Sequence, residues 1–483
     1  MMAAWMAQVW LLMICVACWM TEIASSELPQ PLFVTDYLPE RFAEAQIASR
    51  IDLFTAGWQA NNAMHSGFIT LNKKAARNTF FWYSSSLDGN ADAPVLLWLQ
   101  GGPGASSLFG KFTEIGPFGI GTDGVVMPRN TTWNQHFHLL FLDNPVGVGF
   151  SFTESETGFV SNQQQVGSDL HLALVQFFQL FPSLRANDFY VTGESYAGKY
   201  VPACAYTIHR QNKLTPATER INLKGIAIID GAMDPAAQFQ GFGDLLWHLG
   251  MADEAEREQF RAYEAKMRVR LAAGDRLGAF EVFDEMLNGD FYPYPTFYAN
   301  VTGMSTNYFN FELSPDATPL GGDFVEWLQT PSVRTQIHVG DRGYAPLNIT
   351  VEEHLKDDWM RGVVDMLVPV MESYKVLICS GQNDVILGPP LTEKFLHNLT
   401  WSGSATFQKA KKQVWRRDAK GPGSKLRDVA GYVRQAGRFT QVVVRGAGHM
   451  VPGDQPERAL DMIERFVYGR SFSPLAVAGE LVI

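Results

Sequence analysis

The sequence predicts an α/β fold: a central, mostly parallel sheet with helices on both faces and a helical cap inserted late in the chain. Three observations predict it. Short, continuous apolar runs at 94–99, 138–142, 188–192, 225–231 and 376–379 have the length and composition of strands buried on both faces. Segments with apolar residues at helical spacing, such as 162–180, lie between them, and strand–helix alternation marks a parallel sheet. At about Asp234 the alternation stops. Residues 252–287 then carry Phe260, Tyr263, Met267, Val269, Leu271, Leu277, Phe280, Phe283 and Leu287 at helical intervals.

Taken in order, residues 1–25 read as a signal peptide. Residues 4–20 are apolar apart from Gln8, and the small residues around Ser25 offer a cleavage point. The first part of the core follows over 26–233 and opens with an antiparallel pair at 66–71 and 79–83. The cap occupies 234–330, its helices continued by an aromatic loop from 291 to about 311. The second part of the core, 331–483, adds the strand at 376–379, a last strand at 439–444 and a closing helix at 455–468. The stretch 409–425 is basic and polar and reads as a solvated surface segment. No stretch after the signal is long and apolar enough to span a bilayer.

Composition narrows the class. The chain has 483 residues, 46% of them hydrophobic, and a net charge of −11, so a large core is available and no basic stripe invites nucleic acid. Sequons at Asn130, Asn300, Asn348 and Asn398 become candidate glycosylation sites once a signal peptide is read. Cys15 and Cys18 fall in the signal, which leaves Cys204 and Cys379 as one disulfide at most or as two buried free thiols. The pair His136-x-His138 has metal-ligand spacing but no third ligand nearby, and entry into a strand accounts for it; no metal or cofactor is expected.

Ligands of α/β sheets bind beyond the carboxyl ends of the strands. Five of the runs here end in chemistry-bearing loops: Gly101-Gly102, Asp143-Asn144-Pro145, Ser195, Asp384 and His449. Gly193-Glu194-Ser195-Tyr196-Ala197-Gly198 joins a strand to a helix and has the form of the α/β-hydrolase nucleophile elbow, with Ala197 where the strict pattern has glycine. Ser195, Asp384 and His449 stand in that fold's triad order. Serine is a poor nucleophile at its own pKa, so His449 would take its proton, with Asp384 fixing the imidazole tautomer. The N–H groups of Gly102 and Tyr196 are the candidates for the oxyanion hole.

Four longer motifs, 98–107, 143–151, 193–198 and 446–452, resemble in order the signatures of the serine carboxypeptidases of peptidase family S10, and the resemblance runs from about 67 to 468. Gln100 in place of asparagine, Asn144-Pro145, and Ile337-His338-Val339-Gly340 resemble the vitellogenic carboxypeptidase-like branch. The resemblance implies a secreted or lysosomal glycoprotein that releases C-terminal amino acids from peptides through an acyl-enzyme at acidic pH. It implies that Gln100, Gly101, Glu114 and Glu194 bind the substrate's terminal carboxylate. Two glutamates can do this only in the acid form. Burial and like charge raise a carboxyl pKa, so activity is expected to fall as the pair ionises. One departure is Ala105, which stands where the family has a cysteine, so a disulfide anchoring that loop is absent. The alternatives are an acyltransferase on the same scaffold, which needs the same triad, and a non-catalytic protective or binding glycoprotein, against which the complete triad argues. Peptide or protein C-termini are the expected partners.

Overall fold

Strands form where the apolar runs place them. The computed structural model describes residues 28–52, 62–304, 307–313, 323–417 and 428–472; the expected signal peptide lies outside the described residues. In chain order the strands are β1 (Met64–Asn72), β2 (Arg77–Ser84), β3 (Val95–Leu99), β4 (Phe118–Ile120), β5 (Val126–Pro128), β6 (His138–Leu142), β7 (Phe189–Glu194), β8 (Leu223–Ile229), β9 (Lys375–Gly381), β10 (Gln413–Arg417), β11 (Asp428–Ala436) and β12 (Phe439–Val444). Ten of them make one sheet in the order β1-β2-β6-β3-β7-β8-β9-β12-β11-β10. The six from β6 to β12 in that order are mutually parallel, and the two strands at each edge run antiparallel.

β3 shows why a continuous apolar run is needed. Val95, Leu97 and Leu99 join one hydrophobic layer, while Leu96 and Trp98 join the layer on the opposite face. A strand buried on both faces has no polar side to alternate. The helix Gln163–Leu180 covers the first face. Asn162 caps it by accepting the Gln165 N–H at 3.0 Å, and Val166, Leu170, Leu174 and Phe177 pack inward. The helix Ala197–Gln211 follows β7 and packs against it and against β8.

Between β8 and β9 the chain is helical. Asp253 and Glu256 form a capping box that starts Glu254–Ala272, and Arg276–Phe283 follows. Phe260, Met267, Phe280, Phe283 and Leu287 are buried as their spacing predicts, but Val269 and Leu277 are exposed. Helices continue to Val364–Ser373, which packs against Ala197–Gln211 and leads into β9.

Two features differ from the sequence reading. The stretch at 409–425 is not wholly a surface segment: β10 pairs with β11 as the last hairpin of the sheet. Its signal is weak because only Trp415 is buried, its indole donating to Asp461 at 2.8 Å, while the flanking arginines and lysines guard an edge. The small β4–β5 ribbon was also not anticipated. Cys204 and Cys379 are free and buried, so the two-thiol alternative holds.

Lys111 is fully buried in the six-residue π-helical turn Gly110–Ile115. Its Nζ lies 4.1 Å from the Phe118 ring centroid and 4.4 Å from that of Trp82, and has no hydrogen-bond partner among the described residues. Ring faces offer a cation about 2 kcal/mol when desolvated. Removing an ammonium from water costs several. Burial therefore wins and holds the Lys111 amine well below its ordinary range, with Arg129 adding to the effect. A lysine depressed in the folded state is protonated in the unfolded chain and not in the fold, so stability falls as pH drops below the ordinary lysine pKa. Lys111→Met is expected to raise the urea midpoint, and to raise it more at pH 5 than at pH 9. Equal or absent gains at the two pH values would contradict this account.

Candidate active site

The six parallel strands end on one edge, and their loops converge there. β7 runs into Ser195, whose φ of 63° lies in the left-handed region. That conformation costs a residue with a Cβ about 1–3 kcal/mol. The turn is held by hydrogen bonds from Ser195 N–H to Ile229 O at 3.0 Å and from Ala232 N–H to Ser195 O at 3.0 Å. A Cβ at Gly193 would lie 2.7 Å from Leu99 O and 2.8 Å from the Ala197 Cβ, so glycine at 193 is what admits alanine at 197.

The loop after β3 lies directly on this elbow. A Cβ at Gly101 would sit 2.5 Å from Tyr196 N and 2.7 Å from Ser195 Cβ, and Gly102 takes φ 104°. The buried Asp143, at the end of β6, ties this loop to its own. Its Oδ1 accepts from the Ser106 hydroxyl at 2.5 Å and Ser107 N–H at 3.1 Å, and its Oδ2 from Phe150 N–H at 2.9 Å. Burial raises the Asp143 carboxyl to about 7, against these hydrogen bonds. From the other side, Ser106 N–H donates to Pro346 O, Asn348 N–H to Gly104 O and Gly149 N–H to Ala345 O, each at 2.9 Å. At the position that lacks the cysteine, Ala105 pairs with Leu347 as an antiparallel bridge.

At the end of β9, Asp384 accepts at Oδ1 from Leu387 N–H at 3.2 Å, and its Oδ2 is 2.8 Å from His449 Nδ1. His449 is fixed by its N–H to Phe309 O at 2.6 Å and by stacking on the Phe309 ring at 4.8 Å. Its Nε2 is buried without a hydrogen-bond partner among the described residues. Ser195 and His449 line one cavity of 430 Å³ together with Gln100, Gly101, Gly102 and Glu194. Gln100 reaches its position despite its extra methylene: Oε1 accepts from the Trp98 indole at 2.8 Å, and Nε2 donates to Glu194 at 2.7 Å. Among the described residues, both oxygens of Glu114 and Oε1 of Glu194 are buried with no partner except each other and Gln100, so a proton on one carboxyl can bridge to the other. Burial raises both carboxyls well above the usual range, and the charge of Glu114 raises Glu194 further. The acid forms are the stable ones here, and an acid form can donate a hydrogen bond.

Sequence reasoning passed over Asp230, which ends β8 between the strands of Ser195 and Asp384. It is fully buried at φ 40°, and its two oxygens accept from Gly381 N–H at 2.9 and 3.0 Å. Burial first, and the Asp384 charge second, hold its carboxyl well above the usual range. The acid form can therefore donate to Asp384. Its place, a polar residue at the end of a sixth parallel strand, was the available signal. Among the described residues, Asp230, Asp384 and His449 are the one group of three with metal-ligand chemistry close together. Their hydrogen bonds to one another and to Gly381 account for the cluster.

The chain between β8 and β9 supplies the far wall of the cavity: Asp290, Tyr308 and Phe309 from the segment read as the cap, and Glu352 and Trp359 from the helix Ile349–Trp359 beyond it. The Trp359 and Tyr196 rings are 5.0 Å apart, and the Tyr196 hydroxyl donates to Asp358 at 2.7 Å. The buried Lys199 ammonium donates to the carbonyls of Asp358 and Trp359 and so ties the end of the helix Ile349–Trp359 to the helix after the elbow. Of the sequons, Asn130, Asn300 and Asn398 are exposed. Asn348 is engaged internally: Nδ2 donates to Gly147 O at 2.8 Å and Oδ1 accepts from Thr350 N–H at 3.0 Å.

Comparison with known proteins agrees with this architecture. A family model described as serine carboxypeptidase matches residues 56–469. The chain is 45% identical over 408 residues to the venom serine carboxypeptidase of Apis mellifera, covering 84% of this chain and 85% of that one. It is 42% identical over 446 residues to the Homo sapiens protein named "Probable serine carboxypeptidase CPVL", covering 92% and 91%. It is 37% identical over 452 residues to the vitellogenic carboxypeptidase of Aedes aegypti, covering 92% and 91%. Among solved structures, Kex1(Δ)p, a prohormone-processing carboxypeptidase from Saccharomyces cerevisiae, superposes with a TM-score of 0.76 over 88% of this chain and 96% of that one, at 23% identity, and shows the shared α/β-hydrolase fold.

The position of Asp230 has a measurable consequence. Asparagine can both donate to Asp384 and accept from Gly381 N–H, so Asp230→Asn is expected to keep peptide turnover within about threefold. Asp230→Leu leaves Asp384 a buried acceptor short of a donor and is expected to lower kcat about 10²-fold. Steady-state kinetics on one peptide checks both, and equal losses in the two variants would remove Asp230 from the positioning of Asp384.

Proposed function

The chain belongs to the serine carboxypeptidase family and is a serine-type carboxypeptidase, and from the geometry of its strand ends we propose how its residues divide the work. Ser195 is the nucleophile, His449 takes its proton and later returns it to the leaving amine, and Asp384 holds the imidazole and stabilises its charged form. The N–H groups of Gly102 and Tyr196 receive the developing oxyanion, since the Gly101 backbone brings the β3 loop against Tyr196 N. Gln100, Gly101, Glu114 and Glu194 hold the terminal carboxylate of the peptide. Water then hydrolyses the acyl-enzyme on Ser195.

One observation carries the exopeptidase assignment within the site. The cavity that contains Ser195 is lined by the buried Glu194, which the buried Glu114 backs closely enough for the two carboxyls to share a proton. Held in acid form, the two can donate hydrogen bonds to a carboxylate, which a generic esterase has no need to bind. The apolar N-terminal stretch, the exposed sequons Asn130, Asn300 and Asn398, and the similarity to a venom carboxypeptidase support a glycoprotein of the secretory pathway, secreted or lysosomal. The segment 234–330 acts as the cap over the core parts 26–233 and 331–483.

Incubation with a peptide panel near pH 5, read by mass, is expected to show stepwise loss of C-terminal residues. Ser195→Ala is expected to lower the rate by about 10⁴-fold or more. The glutamate pair sets the pH dependence. Its folded pKa values are raised, so the acid forms persist through acid pH and are lost as pH rises through the raised values; KM for peptides is expected to climb over that range. In Glu114→Gln/Glu194→Gln both side chains keep donors at every pH, and this climb is expected to disappear. An unchanged KM profile in the double variant would overturn the assignment of these two residues.

A further inference from the structure

The cavity has a second acid pair at its cap end, remote in role from the glutamates that take the terminal carboxylate. Asp290 and Glu352 both line it, within a wall otherwise made by Tyr308, Trp359 and Ile386. Glu352 is buried, with one oxygen accepting from the Trp359 indole at 3.2 Å. Asp290 is open to the solvent of the cavity, though protein surrounds most of its side chain, and one oxygen accepts from the Asn288 amide at 2.7 Å. Among the described residues, neither carboxyl has an ion pair. The charged and titratable neighbours are Asp284, which accepts the N–H groups of Asp290 and Phe291; the hydroxyls of Tyr308, Tyr196 and Tyr200; and Lys356, whose ammonium sits over the Phe291 ring at 3.3 Å. No cation therefore neutralises the pair from within, and a third acid stands behind it.

The wall that carries this pair also carries Trp359, packed on Tyr196 beside the nucleophile. The terminal carboxylate, by contrast, is assigned to the end with Gln100 and Glu194. We propose that Asp290 and Glu352 select a lysine or arginine at the penultimate position of the peptide, the residue whose carbonyl Ser195 attacks. This rests on the reading of the site given above.

The selection is tied to a proton. Burial first raises both carboxyls; the nearby Asp290 then raises Glu352 further, while hydrogen bonds from Asn288 and Glu352 temper the rise of Asp290 and the charge of Asp284 adds to it, so in the empty pocket the pair is held in acid form at acid pH. The neutral pair and the apolar wall then accept an apolar side chain. An incoming ammonium or guanidinium favours the ionised pair and releases a proton on binding. Preference for a basic over an apolar residue therefore grows as pH rises through the range where the pair ionises, by at most about tenfold per pH unit for one proton. The terminal-carboxylate glutamates affect every peptide alike and cancel in the comparison.

The test uses two peptides that differ only in arginine or leucine at the penultimate position, with kcat/KM measured from pH 4.5 to 7. The arginine-to-leucine ratio is expected to rise at least tenfold over this range. In Asp290→Asn and in Glu352→Gln the ratio is expected to fall at least about tenfold at pH 6.5 and to lose most of its slope. Labelling of Ser195 by a fluorophosphonate reports whether each variant retains a folded site; Asp290→Asn, with its side chain open to the cavity, is the variant expected to label normally. A ratio in the parent enzyme that does not change with pH, or one that labelled variants leave untouched, overturns the inference. If neither peptide is shortened although Ser195 labels, the reading of the site itself fails instead.

Discussion

The site depends on how closely the loop after β3 lies on the elbow after β7. At Gly101 there is no room for a Cβ between the loop and the backbone of Ser195 and Tyr196. That approach sets Gln100 beside Glu194 and leaves Ser195 lining the cavity. Glycine at 101 permits the approach but does not enforce it. Enforcement comes from behind, where Asp143 holds both flanking loops and the strand-like segment around Leu347 closes over them. These hydrogen bonds stand where the resemblance implied that a disulfide was missing. A buried carboxyl accepting several N–H and O–H groups is a directional device that fixes the loop it holds.

A second theme follows from burying acids around that loop. Glu114 faces Glu194, Asp230 faces Asp384, and Asp290 faces Glu352. Two carboxylates so placed cannot both ionise cheaply in a medium of low polarity, so each pair retains a proton into a range where isolated acids have lost theirs. Under the proposed roles the same physics serves three different functions because the outer partner differs: an anion for the first pair, an imidazole for the second, a cation for the third. An acidic compartment suits the first two, where a retained proton is a hydrogen-bond donor. In the proposal the third pair works against the other two as pH changes, and so would make specificity, rather than rate alone, a function of pH.

Much of this was legible in the sequence. The parallel core could be read because a strand buried on both faces must be apolar at every position, as in β3. The residues proposed as triad and as carboxylate-binding stood out because each ends a strand or sits in a long motif. What escaped had no such constraint. β10 is half exposed and charged, so its strand character rests on Trp415 alone. Asp230 looks like a turn residue, since an Asp-Gly pair at a strand end is the commonest kind of turn chemistry. Nothing local in the sequence says that its neighbour in space is Asp384, because that pairing depends on β8 lying next to β9 across 145 intervening residues of cap and helix.

The cap wall shows the same limit more sharply. Glu352 lies in the helix Ile349–Trp359 and Asp290 in a loop some sixty residues earlier, and each alone has the look of a surface acid. They meet because the chain between β8 and β9 folds back over the carboxyl edge of the sheet, and because Lys199 and Tyr196 anchor Asp358 and Trp359 to the elbow helix. The anchor matters for chemistry as well as for shape. In the proposed mechanism Tyr196 gives its amide to the oxyanion site, while its ring and hydroxyl hold Trp359 and Asp358, so the residue after the nucleophile would couple the position of the specificity wall to the geometry of the reacting carbonyl. A peptide side chain that draws Trp359 inward acts on the same residue that must stabilise the oxyanion, and binding energy at the wall can thereby be expressed in the transition state rather than in the bound peptide alone.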